Sequence, residues 1–221
     1  MVALTRITGD GLATTTTIGN GTSGVAKING GSSSSGQLIF MDAGTNRARI
    51  GVPTGTTTLS LSGSNTLTGD VVITADGEVT MPTQPSFCVQ PTSAQNNVGI
   101  NDGSAVVITF DNERYDIGAN FASNAFTAPV TGKYYLSAQL YMLHVDSAAT
   151  YLGMYIYTSN RFYFQLIDPD FGQDATYWTF TQSVVADMDA NDTVNIRFAQ
   201  YQGTIQTDIQ TGSMFMGHLL G

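Results

Sequence analysis

Between residues 168 and 174 the chain reads Asp-Pro-Asp-Phe-Gly-Gln-Asp, and its one tryptophan, Trp178, follows. Three carboxylates, Asp168, Asp170 and Asp174, could converge on Ca²⁺, a hard cation that takes oxygen ligands. The same stretch could hold a sugar. Carboxylates accept hydroxyl hydrogen bonds, and Phe171 and Trp178 offer aromatic faces to sugar C–H surfaces. The plainer readings are a solvated acidic turn and a core tryptophan. Calcium is the one cofactor these residues could take.

Little else in the chain could do chemistry. The two histidines, His144 and His218, sit in apolar strand patterns and read as packing residues. Gly9-Asp10-Gly11 and Gly19-Asn20-Gly21 read as turns, since no βαβ pattern surrounds them. The chain contains no nucleophile elbow, phosphate loop or zinc motif. Nor is there an obvious carboxylate pair on a shared scaffold, as glycoside hydrolysis needs. The expectation is a protein that is not an enzyme.

The elements that must position these residues are strands. Val194, Ile196 and Phe198 alternate with Asn195, Arg197 and Ala199, the pattern of a half-buried strand. Further candidates are 105–110, 125–130, 133–145, 150–158, 161–167, 177–185 and 213–220. Along 133–145 both faces carry apolar residues: Tyr134, Leu136, Ala138, Leu140 and Met142 on one, and Tyr135, Tyr141 and Leu143 on the other. One face can line a core; the other suits a neighbouring chain. Tyr141, Tyr151, Tyr155, Tyr157 and Tyr163 add apolar area with a hydroxyl, a combination favoured at interfaces. No helix of three turns is expected. The fold class is all-β, with a sandwich or jelly roll in the C-terminal part.

Composition divides the chain. Of the 22 aromatic residues only Phe40 precedes residue 87, so the core belongs to the C-terminal part. Half of the first 70 residues, 35, are Gly, Ser or Thr. Such a segment cannot by itself bury enough apolar area to offset its ordering entropy. Yet residues 26–86 carry short apolar runs at regular spacing: 38–41, 50–52, 59–61, 71–73 and 79–81. Asp76-Gly77, between the last two, is a hairpin signal. These features predict an extended, intertwined β-stalk that completes its core with other copies of the chain. Met81-Pro82-Thr83-Gln84-Pro85 reads as the boundary, because two prolines restrict the backbone there. Three regions are therefore expected: a segment 1–25, a stalk 26–86 and a head 87–221.

The net charge is −9, of which −8 falls on residues 87–221. An acidic head repels phosphate backbones and anionic membranes, so neither is an expected partner. Cys88 is the single cysteine, which excludes an intrachain disulfide and fits assembly in a reducing cytoplasm. The start has no apolar run of signal-peptide length, and no stretch is long enough to span a membrane.

The segment from Phe110 to Ala138 resembles the globular head of complement C1q and its tumour-necrosis-factor-like relatives. Phe110 is followed after five residues by Asp116 and after four more by Phe121; Phe126 precedes Gly132-Lys133-Tyr134 by five. The ending, Phe215-Met216-Gly217-His218-Leu219, is similar to the family's last strand. The Phe121–Phe126 spacing is shorter than the family's, and Leu136 and Ala138 replace aromatics. The resemblance implies a trimeric jelly roll, with Phe126 and Tyr134 packed together on neighbouring strands and Gly132 in a turn that a side chain would strain. Phe110, Phe121, Phe126, Tyr134, Tyr141 and Phe215 become the core and trimer-packing residues, and calcium binding fits the family. The order of Gly/Thr-rich stalk, proline-containing joint (Gly77 to Phe87) and C1q-like head is similar to bacteriophage fibre proteins. So is the opening Leu4-Thr5-Arg6-Ile7.

The resemblance implies a homotrimeric virion fibre, of a tail or a head, exposed on the particle after assembly in the host cytoplasm. Val2, Leu4, Arg6 and Ile7 would dock onto other virion proteins by strand addition. The head would meet a host-surface glycan or protein receptor, with Asp168, Asp170, Phe171, Asp174 and Trp178 as candidate contacts. The alternative is a bacterial surface or secreted adhesin or lectin with the same head.

Overall fold

The structure, a computed structural model, describes residues 35–221 except 43, 65, 67 and 68. The docking residues Val2, Leu4, Arg6 and Ile7 lie outside them. The described residues fall into two compact units that divide between Pro82 and Thr83, inside the proline-containing joint. No helix occurs among them.

In the first unit each apolar run becomes a strand: β1 (Gly36–Asp42), β2 (Thr45–Val52), β3 (Leu59–Ser62), β4 (Val71–Ile73) and β5 (Val79–Thr80). They pair in chain order as an antiparallel meander. Asp76-Gly77 closes the last hairpin. Gly77 takes φ 95°, which a Cβ would resist, and the Thr74 amide donates to the Glu78 carbonyl at 2.9 Å. Register puts one kind of residue on one face. Leu38 stands opposite Ile50, Ile50 opposite Leu61, and Leu61 opposite Val71. Phe40, Val52, Leu59, Ile73 and Val79 share that face, because side chains alternate along a strand. The opposite face carries Arg49, Ser60 and Ser62, and the Arg49 guanidinium donates to Gln37 Oε1 at 2.7 Å.

The second unit is a sandwich of two six-stranded sheets. The first holds β14 (Ala175–Met188), β11 (Gly132–Val145), β17 (Met214–Leu219), β6 (Ser86–Gln90) and β8 (Asn112–Ile117) in that order, with β16 (Asp208–Ile209) on β11. The second holds β13 (Phe162–Ile167), β12 (Tyr151–Thr158), β15 (Thr193–Tyr201), β10 (Ala125–Thr127) and β9 (Phe121–Ala122), with β7 (Val106–Val107) on β15. The expected alternations appear as burial. Tyr134, Leu136, Leu140 and Met142 of β11 face Val194, Ile196 and Phe198 of β15 in one core.

Three expectations change. The run 105–110 forms a strand only at Val106–Val107, because its later amides go elsewhere: Thr109 N to Gln95 Oε1 at 2.8 Å and Phe110 N to Asn124 Oδ1 at 2.9 Å. Phe126 and Tyr134 do pack, with ring centroids 5.6 Å apart, but from opposite sheets rather than neighbouring strands. Gly132 opens β11, and its constraint is space rather than φ, since a Cβ there would come within 2.7 Å of Leu219 Cδ1.

Phe87 on β6 is the centre of the core. It is wholly buried, with ring centroids 4.6 Å from Phe126, 5.4 Å from Phe121 and 4.8 Å from Phe215. Replacing a buried Phe by Ala removes transfer energy and leaves a cavity, at a cost of roughly 3–5 kcal/mol. Phe87→Ala should destabilise the second unit by about that amount in denaturant unfolding, whereas Ile100→Ala at an exposed loop position should cost under about 1 kcal/mol.

Candidate functional site

Most of the residues marked by the C1q-like spacing form the core. Phe110, Phe121, Phe126, Tyr134 and Phe215 are buried. Asp116 has a positioning role: its carboxylate accepts from the amides of Asn120 at 3.1 Å and Phe121 at 2.8 Å, closing the turn that delivers Phe121 to the core. Tyr141 is half-buried on the outward face of β11, with Tyr177 stacked 6.4 Å away on β14. The other tyrosines divide. Tyr151, Tyr155 and Tyr157 lie on the outward face of β12, and Tyr163 packs against the core.

The acidic loop 168–174 joins β13 to β14. Phe171 stacks on Trp178 at 5.2 Å, so these two residues meet as an aromatic pair. Trp178 packs on the core, and its indole N–H is buried without a partner. Asp168 Oδ1 accepts from the Asp170 amide at 3.2 Å within the turn. Asp174 is engaged elsewhere. Its Oδ1 accepts from the Ser147 amide at 3.0 Å and the Ser147 hydroxyl at 2.9 Å, and its Oδ2 accepts from the Gln206 amide at 2.8 Å. Among the described residues no three His, Cys, Asp or Glu side chains are grouped to hold a metal, so the structure does not gather Asp168, Asp170 and Asp174 as a calcium cage.

Those contacts of Asp174 form one wall of a depression of about 400 Å³ at the end of the sandwich. Asn96, Asn97, His144, Ala175, Thr176, Gln206 and Asp208 complete the lining. His144 is exposed there and pairs with Asp208, Nδ1 to Oδ2 at 3.0 Å. It takes φ 55° within β11, a left-handed conformation rare for a residue with a Cβ. Asp208 Oδ1 accepts from the Asn97 amide at 2.9 Å. Nearby, buried Asp146 accepts from the amides of Ala148 and Thr204 and ties two further loops together. Asp174 was legible in the sequence. His144, Asp208, Asn96, Asn97 and Gln206 were not identified as a site, because no spacing rule joins residues so far apart in the chain.

Residues 87–220 match the model of the C1q domain family. The chain belongs to the C1q family. C1q domains commonly trimerise and are typically non-enzymatic binding domains. The fold is their jelly roll. The chain is also similar to the globular domain of zebrafish complement 1qA, at 17% identity and a TM-score of 0.47 over 62% of this chain and 98% of that one. It is similar to murine APRIL at 10% identity and a TM-score of 0.46, over 62% of this chain and 99% of that one. No curated protein matches.

The hydrogen bonds to Asp174, first of all from the Ser147 amide, hold its carboxyl below the usual carboxylate range. A lowered folded value means that this bracing is present above the ordinary carboxylate pKa and is lost as pH falls through the folded one. The protection factor of the Ser147 amide, its exchange rate referred to the unstructured rate at the same pH, should therefore fall on acidification in the C1q-domain protein, and Asp174→Asn should lower that protection already at neutral pH.

Proposed function

We propose that the protein is a homotrimeric bacteriophage virion fibre whose C1q head attaches to a host-cell surface. The observation that carries the trimer is the stalk sheet. Among the described residues its apolar face has no second layer: Leu38, Phe40, Ile50, Val52, Leu59 and Val79 are all more than a third exposed. A sheet normally buries such a face. At 1.5–3 kcal/mol for a fully buried side chain, covering these half-exposed ones is worth on the order of 5–9 kcal/mol per chain. Association costs about 4–15 kcal/mol in lost freedom, so the head has to contribute.

The head offers two different surfaces for that. One is the outward face of the first sheet, with Tyr135, Tyr141, Tyr177 and Val185. The other is the outward edge strand β13, with Phe162, Phe164 and Leu166 each about half exposed. Two unlike patches on one protomer pair head to tail, and a head-to-tail contact that closes makes a ring. Three copies on one axis then give avidity, since each added site binds at a high effective concentration.

The virion role is supported by the opening Leu4-Thr5-Arg6-Ile7, the stalk composition and the joint before Phe87, all of which resemble phage fibres. In this reading Val2, Leu4, Arg6 and Ile7 hold the fibre to other virion proteins, and the loops at the end of the head reach the glycan or protein receptor.

Light scattering of the full chain should give three times the 23.4 kDa chain mass. Leu38→Asp with Ile50→Asp should weaken the trimer, because it puts charge into the stalk face. A 23.4 kDa monomer at micromolar concentration would refute the trimer.

Purified protein should also block adsorption of particles to host cells. A variant lacking residues 2–12 should still block adsorption yet be missing from assembled virions. Normal incorporation of that variant would refute the docking role.

A further inference from the structure

We infer that the depression between His144, Asp174 and Asp208 is a binding site for an uncharged sugar residue, reached without a bridging metal ion. This rests on the reading of the head as a host-surface binder and moves the contact away from the Phe171–Trp178 pair.

The cavity volume, about 400 Å³, has room for a monosaccharide and falls in the range of small-molecule sites. Its lining supplies what a polyol requires. A sugar hydroxyl donates one hydrogen bond and accepts others, so its site needs acceptors and donors side by side. Asp174 and Asp208 are the acceptors. Each carboxylate has about four lone-pair positions. Asp174 uses three of them, on Ser147 and Gln206, and Asp208 uses two, on Asn97 and His144. Donors come from the Asn96 and Asn97 side-chain amides and the Thr176 hydroxyl, all on exposed residues at the rim.

The acceptors are held in place before any ligand arrives. Asp174 and Asp208 are bound by backbone amides from other loops, Ser147 and Asn97 respectively. The 95–98 segment is pinned to the 207–209 segment by Gln95 N to Ile209 O at 2.8 Å and Val98 N to Thr207 O at 2.7 Å. Groups ordered in advance lose less entropy on binding, which matters for a ligand as small as one sugar. The left-handed backbone of His144 turns an imidazole out of an otherwise regular strand and onto Asp208. Such outliers cost free energy and concentrate at ligand sites.

The charge selects the sugar. Two carboxylates face the cavity, and the head carries a net −8, so a sialic or uronic acid is repelled. In the proposed mode the sugar hydroxyls would meet the carboxylates and side-chain amides directly, without a divalent cation between them. Nor do three metal-ligating side chains group among the described residues.

Saturation-transfer NMR on the full chain tests this, with methyl glycosides of glucose, mannose and galactose, N-acetylglucosamine and sialic acid as separate probes and with chelator present. At least one neutral probe should give transfer at millimolar concentration, and sialic acid should give none. Asn96→Ala changes only an exposed rim residue and His144→Ala removes the imidazole. Each should lower affinity at least tenfold while the melting temperature and oligomeric mass hold. Phe171→Ala should leave binding unchanged. Undiminished binding in both cavity variants, loss of binding in Phe171→Ala alone, or a strict calcium requirement would each overturn the site. If no neutral probe binds while the protein still blocks adsorption to host cells, the sugar site is wrong and the attachment reading stands. If the protein neither binds probes nor blocks adsorption, both fall.

Discussion

Phe87 is wholly buried against Phe121 and Phe126 of one sheet and Phe215 of the other. Sheet-on-sheet packing works only when both inner faces are apolar and interdigitate. This ring cluster meets that condition at one end of the head, and Leu140, Met142, Leu152 and Met154 extend the core. Gly217 belongs to the same constraint. A Cβ there would stand 2.8 Å from both Leu136 and Phe87, so the last strand can lie over the ring only as glycine. With the two sheets fixed, their connecting loops are brought together at the end of the sandwich.

Those loops are polar, and they are held by carboxylates. Asp116, Asp146, Asp174 and Asp208 each accept backbone amides from a loop. Charge-assisted bonds of this kind are stronger than neutral ones. Much of the acidity of the head is thus structural, which is why a run of aspartates such as 168–174 need not mark a metal site. The proposed sugar site would use the lone pairs that this bracing leaves over.

The first unit faces the opposite problem. Its five strands put their apolar residues on one face, and among the described residues no second sheet covers Leu38, Ile50 and Leu59. The same rule that closes the head therefore asks for other chains along the stalk. In the proposed trimer, folding of this unit would be coupled to assembly.

How much was legible varied with the range of the interaction. Strands with strict alternation, such as Thr193–Tyr201, and the hairpin at Asp76-Gly77 were evident, because a period of two and a turn residue are local properties. The family resemblance was legible because Phe110, Asp116 and Phe121 keep the family's spacings, as do Phe126, Gly132 and Tyr134, although the gap between the two sets is short. Strand Asn112–Ile117 was missed because it is an edge with charge on it, and an edge strand need not alternate. The side of the sandwich on which Tyr134 meets Phe126, and the meeting of His144 with Asp208, depended on how two sheets stack and which loops they carry to one end. Local pattern determines which residues turn inward, since burial follows the pleat of a single strand. Which distant residues then share a site is decided only by tertiary structure, because it depends on the register of whole sheets.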